Sequence, residues 1–232
     1  MSPLESACRA LRDGKFVLLY DQDGREEEVD LFVAAEHATP EAVRTLRKDA
    51  GGLVFLAVDP RVGHALELPF LQDLYAEDSA RHPVLKRLIP NDIKYDTRSS
   101  FSLTINHRET FTGITDNDRS LTITRFAELA RKPTVEEFGR QFRAPGHVHL
   151  CVGADKLLHQ RQGHTEIAVA LARPPVSASI SQPARTGVRP ARRALPKADA
   201  LRWAEKHDAV LLDGNDVQSA WLKLEAAMPR SA

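Results

Sequence analysis

The chain has 232 residues, 42% hydrophobic and 28% charged, enough to bury one sizeable core in a single domain. Lysine plus arginine and aspartate plus glutamate number 32 each, so no net field draws the chain to nucleic acid or to a membrane surface, and a compact, locally charged ligand is the better expectation. Cys8 and Cys151 cannot make a disulfide framework, no apolar run approaches the ~18 residues of a membrane span, and the first residues lack a secretion pattern, so the expectation is a cytoplasmic protein with free thiols.

In chain order, Leu4, Ala7, Cys8 and Leu11 recur at the spacing of an amphipathic helix over 4–12, which Gly14 stops. KFVLLY and DLFVAAE read as strands flanking an acidic, turn-prone loop. Thr39, Pro40 and Glu41 open a helix that runs to Asp49, Gly51 and Gly52 end it, and GLVFLAV is a buried strand. DPRVGHALEL predicts a short helix and FSLTINH a strand; TGITDNDRS reads as a loop closed by a helix near 121–131. VEEFGRQF gives a further turn or two, HVHLCVG a strand, and TEIAVALA a helix packed behind RQGH. Five prolines and a basic cluster at 174–196 predict an irregular loop, with PPVSASI a candidate strand inside it. A helix in ADALRWAEKH, a strand in AVLLD and a last helix in VQSAWLKLEAA complete the chain. Strands and helices mixed throughout predict a single α+β (mixed α/β) domain.

Three segments carry candidate chemistry. In 21–30, six acids (Asp21, Asp23, Glu26, Glu27, Glu28 and Asp30) surround Arg25. Charge runs are usually solvated turns, but here two apolar strands pin the loop, and crowded carboxylates repel unless a cation or a shared proton relieves them. Hard oxygen donors suit magnesium, which takes one or two carboxylates and leaves its other positions to water and substrate. In 161–166, Arg161, Gln162, Gly163, His164, Thr165 and Glu166 combine a guanidinium, a glycine and a hydroxyl ahead of a helix, a plausible phosphate cradle. A lone histidine there is more often structural; as a site residue, His164 would be a ligand or a base. The third segment is a turn, Arg143, Ala144, Pro145 and Gly146, that delivers His147 to the start of a strand with a side chain suited to proton transfer.

Together the runs YDQDGREEEVDLFVAAE, RKDAGGLVFLA, NDIKYDTRSSFSLTINHRETFTGITDNDR, FRAPGHV, HQRQGHTEIAVALA and RWAEKH resemble, over residues 4–222, the archaeal form of the 3,4-dihydroxy-2-butanone 4-phosphate synthases. The resemblance implies an α+β fold specific to that family and a cytoplasmic homodimer with active sites near the subunit interface. It implies conversion of ribulose 5-phosphate to 3,4-dihydroxy-2-butanone 4-phosphate and formate for riboflavin synthesis. It assigns Arg25 and Glu26 to substrate and metal, Asp30 to a sugar hydroxyl, Thr112 to substrate, and Arg161, Gln162, Gly163, His164 and Thr165 to the phosphate end. Glu26 and His164 would hold two magnesium ions, with manganese as the alternative ion, and His147 would be the essential histidine, reaching across from the partner. Asp21, Glu28 and His147 are the candidates for proton transfer.

Two positions depart from the family pattern. Phe55 stands where the resemblance expects a cysteine near the substrate, and Gln182 aligns with a required glutamate, keeping its shape but not its charge. Three readings accommodate the departures: the family reaction with another acid compensating, a paralogue that forms the same enediolate but releases a different product such as a dehydrated five-carbon one, or a non-catalytic sugar-phosphate binder.

Overall fold

A computed structural model describes residues 2–96, 98–172, 181–186 and 197–227, with side chains for all of these except 181–186 and 224–227. Helix α1 (Pro3–Arg12) starts on a reciprocal cap: Ser2 Oγ accepts from Glu5 N–H at 3.2 Å while Glu5 accepts from Ser2 N–H at 2.8 Å, satisfying two donors that a helix start leaves free. Strands β1 (Val17–Tyr20) and β2 (Val29–Ala34) are buried at every position, which is why β1 and, apart from Asp30, β2 read as apolar runs. They pair antiparallel from Val17 opposite Phe32 to Tyr20 opposite Val29, so the acidic loop between them is held at both ends by the core.

Helix α2 (Pro40–Thr45) continues through a π-helical turn, Leu46–Ala50, that Gly51 ends at φ +70°, a conformation glycine adopts without steric cost. Next come β3 (Gly51–Val58) and three short helices, α3 (Pro60–Ala65), α4 (Leu71–Glu77) and α5 (Pro83–Arg87). Strand β4 (Phe101–His107) precedes α6 (Asp116–Leu129) and α7 (Val135–Gln141). Helix α6 begins five residues before the expected 121, because Thr115 Oγ1 caps Asp118 N–H at 3.1 Å and Asp116 and Asp118 favour the positive helix end.

Strand β5 (Phe142–Val152) includes the expected turn as a bulge. Asn106 pairs with Arg143 while Ile105 pairs with Val148, so residues 144–147 bow out of the ladder. Helix α8 (His164–Ala172) follows, then β6 (Ser181–Thr186), α9 (Lys197–Lys206), β7 (Val210–Asp213) and α10 (Gly214–Ala227). Strand β6 corrects the expected loop: it lies between β2 and β3, with Pro183 opposite Phe32 and Ala184 opposite Val54. Proline, which argues against an internal strand, had masked it. The rest of 174–196, including all of PPVSASI, lies outside the described residues.

The strands form one mixed sheet in the order β4-β5-β3-β6-β2-β1-β7, with helices on both faces. Leu18, Leu31, Val33, Leu56 and Leu150 point to one face and meet α2, α6 and α9 through Val43, Phe126 and Ala200. Val17, Leu19, Phe32, Phe55, Ala57 and Cys151 point to the other and meet α1, α8 and α10 through Leu11, Ile167 and Trp221. Each fully buried leucine contributes about 1.5–3 kcal/mol relative to exposure. The strands' period of two therefore puts Asp30, Phe55 and Cys151 on the face that carries α8.

Candidate active site

The acidic loop is built on Asp21. Its carboxylate, 1% exposed, accepts from the backbone N–H groups of Glu26 at 2.9 Å and Glu28 at 3.1 Å and from Arg25 Nη1 at 3.1 Å. Two amides and a guanidinium bond to it, two on Oδ2 and one on Oδ1, so it shapes the loop and orients Arg25. Arg25 spans the site, with Nη1 on Glu26 Oε1 at 2.9 Å and Nη2 on Asp96 at 2.8 Å.

Asp96 also takes Arg161 Nη2 at 2.5 Å, so one carboxylate aligns two guanidinia. Arg161 is fixed from its other side by Glu166, fully buried, at 2.6 Å, and Glu166 also accepts from Ala154 N–H at 2.9 Å. Burial opposes the Arg161 charge, but Glu166 and Asp96 outweigh it and raise its pKa, so the guanidinium stays cationic. Burial in turn pushes the Glu166 carboxyl up, against the pull of Arg161. Gly163 makes this convergence possible: a Cβ there would come within 2.4 Å of Arg161 Nη1 and 2.9 Å of Arg25 Nη2.

His164, at the start of α8 and 6% exposed, places Nε2 3.1 Å from the Glu28 carbonyl oxygen. The ring therefore donates Nε2–H to that carbonyl, leaving the Nδ1 lone pair aimed at Glu26 Oε2 at 3.8 Å and Asp30 Oδ2 at 3.9 Å. A histidine whose other nitrogen is fixed by a backbone carbonyl is the usual arrangement of a metal-ligating imidazole. Among the described residues no group of three or more His, Cys, Asp or Glu side chains is placed to hold a metal ion by itself. The set fits a hard cation such as magnesium, which keeps several positions for water and substrate oxygens.

Two adjoining recesses share Ser100 and Arg161. An inner one of about 170 Å³ is lined by Glu26, Asp30, Phe55, Cys151, His164 and Thr165, and an outer one of about 740 Å³ by Arg25, Tyr95, Asp96, Gln162 and Glu166. Sequence positions 25–30, 55, 96 and 151–166 thus meet in one cleft. Glu28 enters through its carbonyl. Gln182 lies on β6 opposite Val33, and its side chain is outside the described residues.

His147 and Thr112 line neither recess. His147 stands exposed on the β5 bulge, its backbone N–H on Asn106 Oδ1 at 2.9 Å. Thr112 sits in the 111–113 loop, whose three backbone N–H groups all point to Asp118. Beside them Phe111 and Ile114 are 95% and 50% exposed. Sequence reasoning gave no role to Asp96, Glu166, Ser100 or Asn106. The available signal for Asp96 and Glu166 was electrostatic: two arginines converging in a buried cleft need buried acids.

The family model described as 3,4-dihydroxy-2-butanone 4-phosphate synthase matches residues 5–220. The protein named 3,4-dihydroxy-2-butanone 4-phosphate synthase of Methanothermobacter thermautotrophicus is 41% identical, the match covering 96% of this chain and 97% of that protein. Its namesake in Archaeoglobus fulgidus is also 41% identical, over 94% of each. Among solved structures, a two-domain 3,4-dihydroxy-2-butanone 4-phosphate synthase from A. baumannii superposes with a TM-score of 0.75 at 25% identity, over 93% of this chain and 56% of that one. A 3,4-dihydroxy-2-butanone 4-phosphate synthase in complex with two magnesium ions superposes with a TM-score of 0.74 at 23% identity, over 98% of this chain and 100% of that one.

Proposed function

The chain belongs to the 3,4-dihydroxy-2-butanone 4-phosphate synthase family, enzymes of riboflavin biosynthesis, and on that footing we propose that it converts ribulose 5-phosphate to 3,4-dihydroxy-2-butanone 4-phosphate and formate. The observation that carries this reading is the approach of Glu26 Oε2 to His164 Nδ1 at 3.8 Å, beside two aligned guanidinia in one cleft. Glu26 and His164 would hold magnesium, two ions per site with manganese as the alternative, and the metal would supply stabilisation of negative charge developing on the ketose oxygens.

The chain's own groups do the rest. Arg161, Gln162, Gly163 and Thr165, at the start of α8, grip the phosphate with a guanidinium and with N–H groups that lack helical partners. Arg25, set by Asp21 and Asp96, faces the same cleft, and Asp30 takes a sugar hydroxyl. Phe55 and Cys151 keep the inner recess apolar on one side, which strengthens charge interactions there. Asp21, Glu28 and His147 are the groups for proton transfer. The separation of His147 and Thr112 from the recesses, next to the exposed Phe111, supports a homodimer in which a second copy brings both to the cleft.

The test is magnesium-dependent consumption of ribulose 5-phosphate with mass analysis of the products. Formate with a four-carbon phosphate supports the reading, and no turnover refutes it. A five-carbon product with loss of water and no formate supports a second reading, favoured by Phe55 lining the inner recess, that the chain forms the same enediolate and releases something else. Gln182→Glu should raise the formate yield; an unchanged yield removes Gln182 from the site. An equimolar mixture of inactive His147→Ala and His164→Ala chains should regain about a quarter of wild-type activity if each site draws on both copies.

A further inference from the structure

The exposed His147 rests on a buried amide. Asn106, 4% exposed on β4, receives the His147 backbone N–H on Oδ1 at 2.9 Å and places Nδ2 3.2 Å from His147 Nδ1. Oδ1 lies farther from that ring nitrogen, at 3.4 Å. The backbone bond decides which end of the amide is oxygen, since an N–H must meet an acceptor, so the NH2 end is the one that faces the ring. The Gly113 loop packs directly on the amide, and the Gly146 bulge packs on the backbone beside it. A Cβ on Gly113 would lie 2.1 Å from Asn106 Nδ2, and one on Gly146 would lie 2.0 Å from the Ile105 carbonyl carbon. Both loops press on β4 in a way only glycine permits.

We propose that Asn106 is a positioning residue that fixes neutral His147 in the Nε2–H tautomer. Nδ2–H donates to Nδ1, which is therefore unprotonated, and the ring proton sits on Nε2. In this form His147 offers a hydrogen bond to a substrate oxygen on which negative charge develops and has no free lone pair to take a carbon-bound proton. That consequence rests on the reading of His147 as a site residue; the tautomer rests only on the Asn106 contacts. It leaves Asp21 and Glu28 as the candidate bases among the groups assigned to proton transfer.

The experiment is long-range proton–nitrogen correlation on the full chain labelled with imidazole nitrogen-15, above the histidine pKa, with His147→Gln to assign the signal. Wild type should show a pyridine-type Nδ1 and a pyrrole-type Nε2 for His147; the reverse overturns the proposal. Asn106→Asp, of the same shape, keeps an acceptor for the backbone N–H and replaces the NH2 by an oxygen, so it should move the ring proton to Nδ1. An unmoved proton shows that Asn106 does not set the tautomer. In the ketose phosphate assay, kcat of Asn106→Asp should fall by about 10²–10⁴-fold, the range of a lost proton-transfer or hydrogen-bonding group, with KM within about twofold. A reversed tautomer with unchanged kcat overturns the role given to the Nε2–H. A wild type that consumes no ketose phosphate refutes the proposed function while the nitrogen spectra still decide the tautomer.

Discussion

Replacing Glu26 by Gln should remove the response to magnesium while leaving the loop intact. Glu26 Oε1 accepts from Arg25 at 2.9 Å and its backbone N–H reaches Asp21 at 2.9 Å; a glutamine keeps both. What changes is the atom 3.8 Å from His164 Nδ1, which turns from an anionic oxygen into an NH2 group. The side chain is 12% exposed, so solvent cannot take over the lost charge. At a free magnesium concentration a hundred times Kd, binding to the folded state alone adds about 2.7 kcal/mol. With about 2–4 °C per kcal/mol for a chain of this size, the wild-type Tm should rise by roughly 5–11 °C. The assay is thermal unfolding across a magnesium titration for wild type, Glu26→Gln and His164→Gln. Both variants should give a flat line. A Glu26→Gln curve that rises in parallel with wild type would refute the metal assignment and with it the proposed mechanism.

Glu166→Ala leaves Arg161 with Asp96 but without its fully buried partner, and the Ala154 N–H without an acceptor; a buried donor left unsatisfied costs about 1–3 kcal/mol, a Tm fall of roughly 2–12 °C by calorimetry, and an unchanged Tm would show the pair to be dispensable. Gly113→Ala, at φ +89° and with a Cβ 2.1 Å from Asn106, should lower stability by more than about 1 kcal/mol in urea unfolding. Gly139→Ala, inside α7 with open space around it, should raise stability by about 0.5–1 kcal/mol. Burial lowers the pKa of His107 and of His149 below 6.5. Between the lowered value and 6.5 the unfolded chain binds more protons than the folded one, so stability is full above this window and falls as pH drops through it. The Tm should therefore decline from pH 7.5 to 5.5, and His107→Gln should flatten part of the decline.

Local chemistry along the chain was enough for several features. The apolar runs of β1, of β2 after Asp30 and of β3 from Val54 mark strand segments buried on both faces, and Thr39 with Pro40 marks a helix start, because these signals depend on neighbours within a few residues. The acidic loop, the glycine beside Arg161 and the histidine ahead of α8 could be singled out because their residue types limit what they can do. The α6 boundary was missed although the Thr115 cap was in view, since a loop-like composition concealed it. Pro183 hid an internal strand for the same reason.

Roles were decided by tertiary contacts. Asp21, Asp30 and Glu26 are chemically similar acids nine residues apart or less, and only packing made the first a loop template and placed the other two within 4 Å of His164 Nδ1. Asp96 drew no attention because its importance comes from two arginines, 71 and 65 residues away. Asn106 likewise acquires meaning from a histidine 41 residues on, across a bulged ladder. A sequence states which groups can carry charge, protons or metal; how many hydrogen bonds already occupy each group, and which atom remains open, depends on distances of a few ångströms that only the folded chain sets.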